Sequence, residues 1–245
     1  MKIYDTLLLG AGYGAVGYAE ARGNCLIIEE GQVADTQFYL PMRGFVAGEM
    51  SPKTAAGERL YSCIAGMGLI RSDALCVNGL ECAFARYILD NKVEMLLKCR
   101  MVRCELCGDV YDVTLQTNAG LSHVRACRIL DTRPRGGEKQ LTVLVNLRCE
   151  PDEAIPALLS AFPGATLAPA FYPGRYAMTI PAEGYDENTV KQMVWERFPR
   201  ITGMQILYIA PAVIAAGCEN RFSDAVYPDP VAAYEAGASF FGGEC

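Results

Sequence analysis

Histidine is almost missing from this sequence of 245 residues, which contains one, and long apolar runs are missing as well. No serine or cysteine has an evident histidine–acid partner, so hydrolysis by a catalytic triad is not supported. No run of about 18 apolar residues is free of charge, so we expect no transmembrane helix. Basic residues are also fewer than acidic ones, with 22 Lys and Arg against 28 Asp and Glu. The resulting net charge of −6 argues against a nucleic-acid surface.

The cysteines number 11, an odd count, and they are scattered through segments with strand or helix patterns. Free thiols in a reducing cytoplasm explain this better than a disulfide framework, so we expect a cytoplasmic protein. Cys104 and Cys107 have the Cys-x2-Cys spacing of a metal ligand pair. Their surroundings read as an extended strand, however, in which residues three apart point to opposite faces. We therefore predict no metal site.

The N-terminal segment has the pattern of a β-α-β unit. Lys2–Leu9 contains an apolar run that is followed directly by a glycine, a pattern typical of a buried parallel strand. Ala15–Arg22 is compatible with a helix, and Cys25–Glu29 reads as a second buried strand. Between Gly31 and Asn78 the pattern is irregular, which is often seen in segments that cover a site.

Further elements follow from the periodicity of the apolar residues. The predicted helices are Leu80–Asp90, Asp152–Phe162, Glu187–Phe198 and Asp229–Phe241. The predicted strands are Val93–Leu97, Cys99–Leu106, Val110–Thr117, His123–Leu130, Leu141–Leu147, Met204–Ile209 and one or two within Thr166–Ile180.

The turn between the first strand and the first helix contains a Gly-x-Gly-x-x-Ala motif. Gly10 permits a tight turn, Gly12 lets a pyrophosphate approach the backbone, and Ala15 lets the helix pack closely on the sheet. The helix N-terminus offers free N–H groups to the phosphates. Glu29, at the end of the second strand, would accept hydrogen bonds from ribose hydroxyls. Together these residues predict a dinucleotide site.

At this point the chain resembles the FAD-dependent oxidoreductases of the two-dinucleotide-binding-domain type. The stretch Tyr4–Gly12 is similar to that family's opening strand and turn, and Ile28–Gly31 to the end of its second strand. Arg128–Thr132 resembles a later apolar strand. Phe222–Ala225 resembles an altered Gly-Asp-Ala motif, in which the resemblance implies that Asp224 contacts the flavin ribityl chain.

The resemblance implies FAD as the cofactor and an α/β fold, a Rossmann-like FAD/NAD(P)-binding domain with a smaller β-rich α+β insertion. The dinucleotide-binding domain would comprise residues 1–135 and 204–245, and a substrate or cap-like domain residues 136–203. The predicted cofactor-binding residues are Gly10, Gly12, Tyr13, Gly14, Ala15, Glu29, Glu30, Arg43, Asp131, Thr132 and Asp224.

The predicted function is electron transfer between FAD and a small organic substrate, by an enzyme or by a flavoprotein-like subunit. Two alternatives stay open. One is a non-catalytic relative that has lost the cofactor and acts as a partner subunit or ligand binder; the other is a nicotinamide-binding reductase, because Glu29 also suits NAD. The sequence identifies no catalytic residue and does not distinguish a homo-oligomer from a complex with another subunit.

Overall fold

The computed structural model describes residues 2–240 except 36, 40, 43–49, 72, 73, 149, 183, 185, 199–202, 212 and 217; for 213–216 it describes the backbone only. The chain forms two main sheets and a short hairpin. None of the helices among these residues has the length and apolar character needed to cross a membrane.

The first sheet contains six strands, and four of them are parallel. Its strands are β1 (Ile3–Leu9), β2 (Cys25–Glu29), β5 (Met95–Leu97), β6 (Arg100–Cys107), β7 (Val110–Thr117) and β8 (Gly120–Asp131). They lie in the order β5-β2-β1-β8-β7-β6, and the pairs β5–β2, β2–β1 and β1–β8 are parallel. The apolar runs in β1 and β2 are buried on both faces, as expected for central parallel strands.

Helices α1 (Tyr13–Arg22), α2 (Ala55–Gly66), α3 (Leu80–Asp90) and α6 (Pro230–Ser239) share the largest hydrophobic core. A hairpin of β3 (Ile70–Arg71) and β4 (Ala74–Leu75) leads into the 3-10 turn Val77–Gly79. The opposite face of the first sheet forms its own core with residues from β1, β2, β7 and β8.

The chain has two lobes. The first sheet and the helices of the largest core form the N-terminal lobe, and the second sheet forms the other. Its strands are β9 (Glu138–Leu147), β10 (Thr166–Pro169), β11 (Arg175–Pro181), β12 (Met204–Ile209) and β13 (Val213–Ala216). Strand β9 pairs antiparallel with β11, β12 and β13. Helices α4 (Pro151–Ala161) and α5 (Glu187–Arg197) pack on one face of this sheet in a separate core.

The mixed α/β architecture confirms the predicted α/β fold class. The helix over Leu80–Asp90 begins and ends where the periodicity places it. Two features differ from expectation. Helix α2 lies inside the segment that we described as irregular. Strands β12 and β13 pair with β9, so the second sheet extends past the predicted boundary at residue 204.

Candidate functional site

The carboxyl ends of the parallel strands lie side by side at one edge of the first sheet. Leu9, at the end of β1, aligns with Ile28 of β2 and with Asp131 of β8. Glu29 aligns with Leu97 at the end of β5. In open α/β sheets ligands bind outside this edge, which here carries most of the predicted site residues.

The turn that follows β1 requires glycine at its first position. Gly10 has a φ of +106°, and a Cβ atom there would lie 2.9 Å from Thr132 Oγ1. The Thr132 hydroxyl is within 3.0 Å of the Leu9 and Gly10 carbonyl oxygens, to which it can donate. Thr132 thereby fixes the glycine turn, a role that the resemblance alone does not specify.

The N-terminus of α1 binds a carboxylate of the chain itself. Gly12 is the N-cap residue and supplies no side chain. The Asp224 carboxylate accepts hydrogen bonds from the Tyr13 N–H at 2.6 Å and from the Gly14 N–H at 2.9 Å. A Cβ atom on Gly12 would lie 2.5 Å from Asp224 Oδ2. These amides therefore form an anion-binding cradle, which the buried Asp224 fills.

A short turn places Asp224 at this cradle. Asp224 begins the 3-10 turn Asp224–Val226, whose N-cap, Ser223, accepts a hydrogen bond from the Ala225 N–H. Upstream, the Asn220 side-chain amide donates to the carbonyl oxygens of Asp131 and Arg133. Asn220 thus ties the segment to the end of β8, although we did not predict a role for it.

Glu29 lies on the other side of the glycine turn. Its carboxylate accepts from the Ala11 N–H at 3.0 Å and from the Gly31 N–H at 2.7 Å. A cleft of about 250 Å³ opens beside it. The cleft is lined by Leu9, Gly10, Ile28, Glu29, Glu30, Cys99, Met101 and Arg133. The lining residues come from the ends of β1 and β2, from the start of β6 and from the segment after β8.

Asp131 and Glu30, two further predicted site residues, both form ion pairs with Arg133. Arg133 pairs with Asp131 at 2.8 Å and with Glu30 at 3.1 Å, and Arg135 pairs with Asp131 at 2.6 Å. Burial acts to raise the pKa of Asp131, but the hydrogen bonds from Arg133 and Arg135 outweigh it and lower the pKa to about 2. Asp131 is therefore ionised and held by these arginines at the rim of the cleft.

Asp35, which belongs to no sequence motif, is fully buried near the same turn. Its N–H donates to the Ala11 carbonyl at 2.7 Å, and its carboxylate accepts from the N–H groups of Phe38 and Tyr39. Burial and the neighbouring Asp224 carboxylate raise the pKa of Asp35 to about 8. A single aspartate in an irregular segment gives no periodic signal, so only the folded chain reveals this pair.

Tyr13 turns its ring away from the cradle and into the core. The ring stacks on Phe84 with a centroid distance of 3.8 Å and contacts Phe38 edge-on. Burial, followed by the carboxylates of Asp35 and Asp224, raises the pKa of Tyr13. The Tyr13 hydroxyl and the Gln37 Oε1 atom are the buried side-chain polar atoms without a hydrogen-bond partner among the described residues. Tyr13 thus contributes its N–H, rather than its side chain, to the cradle.

Small residues allow α6 to lie directly against α1. The backbone of Gly17 approaches the Tyr234 carbonyl, and Gly237 approaches the Gly14 carbonyl, with no room for a Cβ atom on either glycine. Ala15, the third small position of the motif, is fully buried. This close contact brings the segment before α6 to the start of α1.

Two other sequence-based assignments concern Arg43 and the cysteines. Arg43 lies outside the described residues. Cys104 and Cys107 lie on β6, opposite Val113 and Val110 of β7, so the expected strand is confirmed. Within the part of the chain that the structure describes, no group of three or more His, Cys, Asp or Glu side chains could hold a metal ion.

The structure combines a mixed α/β sheet, a glycine turn and a helix N-terminus that binds a carboxylate. Solved structures with a similar fold are known. The chain is similar to p-nitrophenol 4-monooxygenase PnpA from Pseudomonas putida DLL-E4, with a TM-score of 0.56 and 13% identity over 89% of this chain and 70% of that one. It is also similar to a flavoprotein/dehydrogenase from Cytophaga hutchinsonii, with a TM-score of 0.55 and 12% identity over 97% of this chain and 76% of that one.

These likenesses confirm, at the level of the fold, the resemblance to FAD-dependent oxidoreductases that the motifs indicate. No protein-family model matches the sequence. No curated protein matches it either.

Proposed function

We propose that this chain is a flavoprotein of the FAD-dependent oxidoreductase class that acts on a small organic substrate. The observation that carries the proposal is the convergence of three groups at one sheet edge. These are the glycine turn with its anion-binding amides, the acid at the end of β2, and the cleft beside that acid.

The residues present fit each part of a dinucleotide. Glu29 keeps acceptor capacity for ribose hydroxyls, because a carboxylate offers about four lone-pair sites and two are in use. The Tyr13 and Gly14 N–H groups would hold the pyrophosphate once they are released from Asp224. Bound FAD would supply the redox chemistry, while the chain binds, orients and shields it.

The second lobe, roughly residues 136–203 together with β12, is proposed to contribute the substrate site. A cleft of about 310 Å³ lies where the two lobes meet. It is lined by Tyr39, Met42, Asn78, Leu144, Arg175, Leu207 and Tyr208. The walls are mainly aromatic and aliphatic with a single cation, Arg175, which favours a small apolar or aromatic molecule that carries a polar or anionic group.

The proposal predicts that Glu29→Gln weakens FAD binding by about tenfold or more. The substitution removes the charge from an acceptor, and a hydrogen bond to a charged group contributes about 1.5–3 kcal/mol. Dissociation constants follow from flavin fluorescence quenching when FAD is titrated into the purified protein. Glu153→Ala, an exposed acid on α4 in the other lobe, is the matched control and should bind as the parent does.

Titration with NADH under the same conditions separates the flavin assignment from the nicotinamide one. Tighter binding of NADH than of FAD would favour a reductase. A parent protein that binds neither cofactor would contradict the proposal.

One observation favours a second candidate, a relative that works without a cofactor. The chain's own Asp224 carboxylate occupies the amides that a pyrophosphate needs. In such a protein the fold would serve as a binding subunit and the cradle would be permanently closed.

A further inference from the structure

The Asp224 carboxylate stands where the pyrophosphate of a dinucleotide would stand. Both of its oxygens accept hydrogen bonds from the first turn of α1, at 2.6 Å and 2.9 Å. It also fills the space that the missing Cβ of Gly12 leaves, since that Cβ would lie 2.5–2.9 Å from the carboxylate atoms. A phosphate oxygen and this carboxylate cannot share the same two N–H groups.

Charge makes the two anions mutually exclusive as well. The Asp224 side chain is buried, and a second buried acid, Asp35, lies close enough that the two carboxylates influence each other. Adding a pyrophosphate would place a second anionic group beside Asp224 at the same helix N-terminus. Like charges at short range in a buried site repel strongly.

The turn that carries Asp224 is held by hydrogen bonds that do not involve its carboxylate. Ser223 and Asn220 fix the turn through hydrogen bonds to Ala225, Asp131 and Arg133. The position of the turn therefore does not depend only on the contact between the Asp224 carboxylate and α1.

From these contacts we propose that Asp224 is an internal competitor of the dinucleotide, a carboxylate that caps α1 and must leave before a pyrophosphate binds. This inference rests on the proposed dinucleotide site and reverses the role that the resemblance implies for Asp224. Asp224 then sets the affinity for the cofactor, because only the fraction of molecules with an open cradle can bind.

The test compares the parent with Asp224→Ala and Asp224→Asn, using FAD and inorganic pyrophosphate as probes. We expect Asp224→Ala to lower Tm by a few degrees, because it removes a helix cap. We also expect it to bind FAD at least about tenfold more tightly, since the charged competitor is gone. Asp224→Asn keeps the shape and one acceptor without the charge, so its FAD affinity should fall between those of the parent and of Asp224→Ala. It also serves as the test variant if Asp224→Ala does not fold.

Asp186→Ala is the matched control. Asp186 caps α5 through the N–H groups of Asn188 and Thr189, so this variant also loses a helix cap, but in the other lobe. It should lower Tm without any gain in FAD affinity. Pyrophosphate should raise the Tm of Asp224→Ala more than that of the parent or of Asp186→Ala.

The outcomes separate this inference from the proposed function. Weaker or unchanged FAD binding by both Asp224 variants would overturn the competitor role, and weaker binding would restore a ribityl contact. If neither parent nor variants bind FAD but pyrophosphate stabilises Asp224→Ala selectively, the competitor role stands and the flavin assignment fails. If pyrophosphate has no selective effect and FAD does not bind, both fail.

Discussion

Replacing Gly17 with alanine is expected to destabilise the protein by about 3 kcal/mol or more, at the upper end of overpacking effects. The added Cβ atom would meet the Tyr234 carbonyl of α6, which is backbone and cannot rotate away. The two helices would have to separate, and the cradle at the start of α1 would separate from Asp224 with them. Urea unfolding followed by circular dichroism measures the loss.

Gly66→Ala is the control for that variant. Gly66 is also a helical glycine, in α2, but a Cβ atom there would meet nothing within 4 Å. Alanine at such a position is neutral or stabilises by up to about 1 kcal/mol. Equal effects of the two substitutions would show that α1 and α6 are not packed as closely as the structure has them.

The second large effect is a dependence of stability on pH that Asp35 causes. Its pKa of about 8 in the folded protein exceeds the ordinary value of 3.8, because burial and the Asp224 carboxylate disfavour ionisation. The folded state therefore binds more protons than the unfolded state between these values. This contribution to stability is complete below about pH 4 and is lost as pH rises through about 8, with a slope of at most about 1.4 kcal/mol per pH unit.

Asp35→Asn should remove that slope, because an amide does not titrate across this range. Asn also tolerates the φ of +66° that Asp35 adopts. The measurement is the free energy of unfolding of parent and variant at several pH values from 5 to 8.5, taken as a difference. The titratable groups that face Asp35 are Asp224 and Tyr13, and burial raises the pKa of Tyr13 well above the tested range.

Asp186→Asn is a suitable control for this series. Hydrogen bonds from Thr189 lower the pKa of Asp186, so it titrates below the tested range. The difference between parent and this variant should therefore stay constant over that range. A constant difference for Asp35→Asn as well would contradict the buried, protonated state of Asp35.

Local patterns explain what the sequence could predict. The unit formed by β1, α1 and β2 was predictable because its signals lie within 30 residues: two apolar runs, a glycine turn and an acid at the end. The hairpin of β7 and β8 was predictable for the same reason. In each case the pattern and the contacts that it produces are close together in the chain.

Helix α2 was not predicted because part of its stability comes from a residue that is distant in the sequence. Within it only Gly57, Leu60 and Ile64 are buried, a weak periodic signal. Thr54 caps the helix by accepting from the Gly57 N–H, and the Glu235 carboxylate holds the segment before it by accepting from the N–H groups of Lys53 and Thr54. No local pattern shows that a carboxylate of α6 supports this cap.

The glycine motif predicts the turn before α1, which the structure contains, but it does not predict which group binds the N–H groups there. The motif indicates free N–H groups, whereas the folded chain supplies Asp224 to them. The pairing of β12 with β9 was not predictable for a related reason, since it depends on a contact between distant strands. Distant contacts of this kind leave no periodic trace in one sequence.

Two carboxylates from the C-terminal part of the described chain also determine the order in which the fold can assemble. Asp224 lies 211 positions after the Tyr13 N–H that it binds, and Glu235 lies 181 positions after Thr54. During synthesis on a ribosome, α1 therefore emerges with the N–H groups of Tyr13 and Gly14 unbound, and α2 emerges with only its local cap, Thr54. These contacts between distant parts of the chain give the N-terminal lobe a high contact order, and the lobe is completed only after α6 has been made.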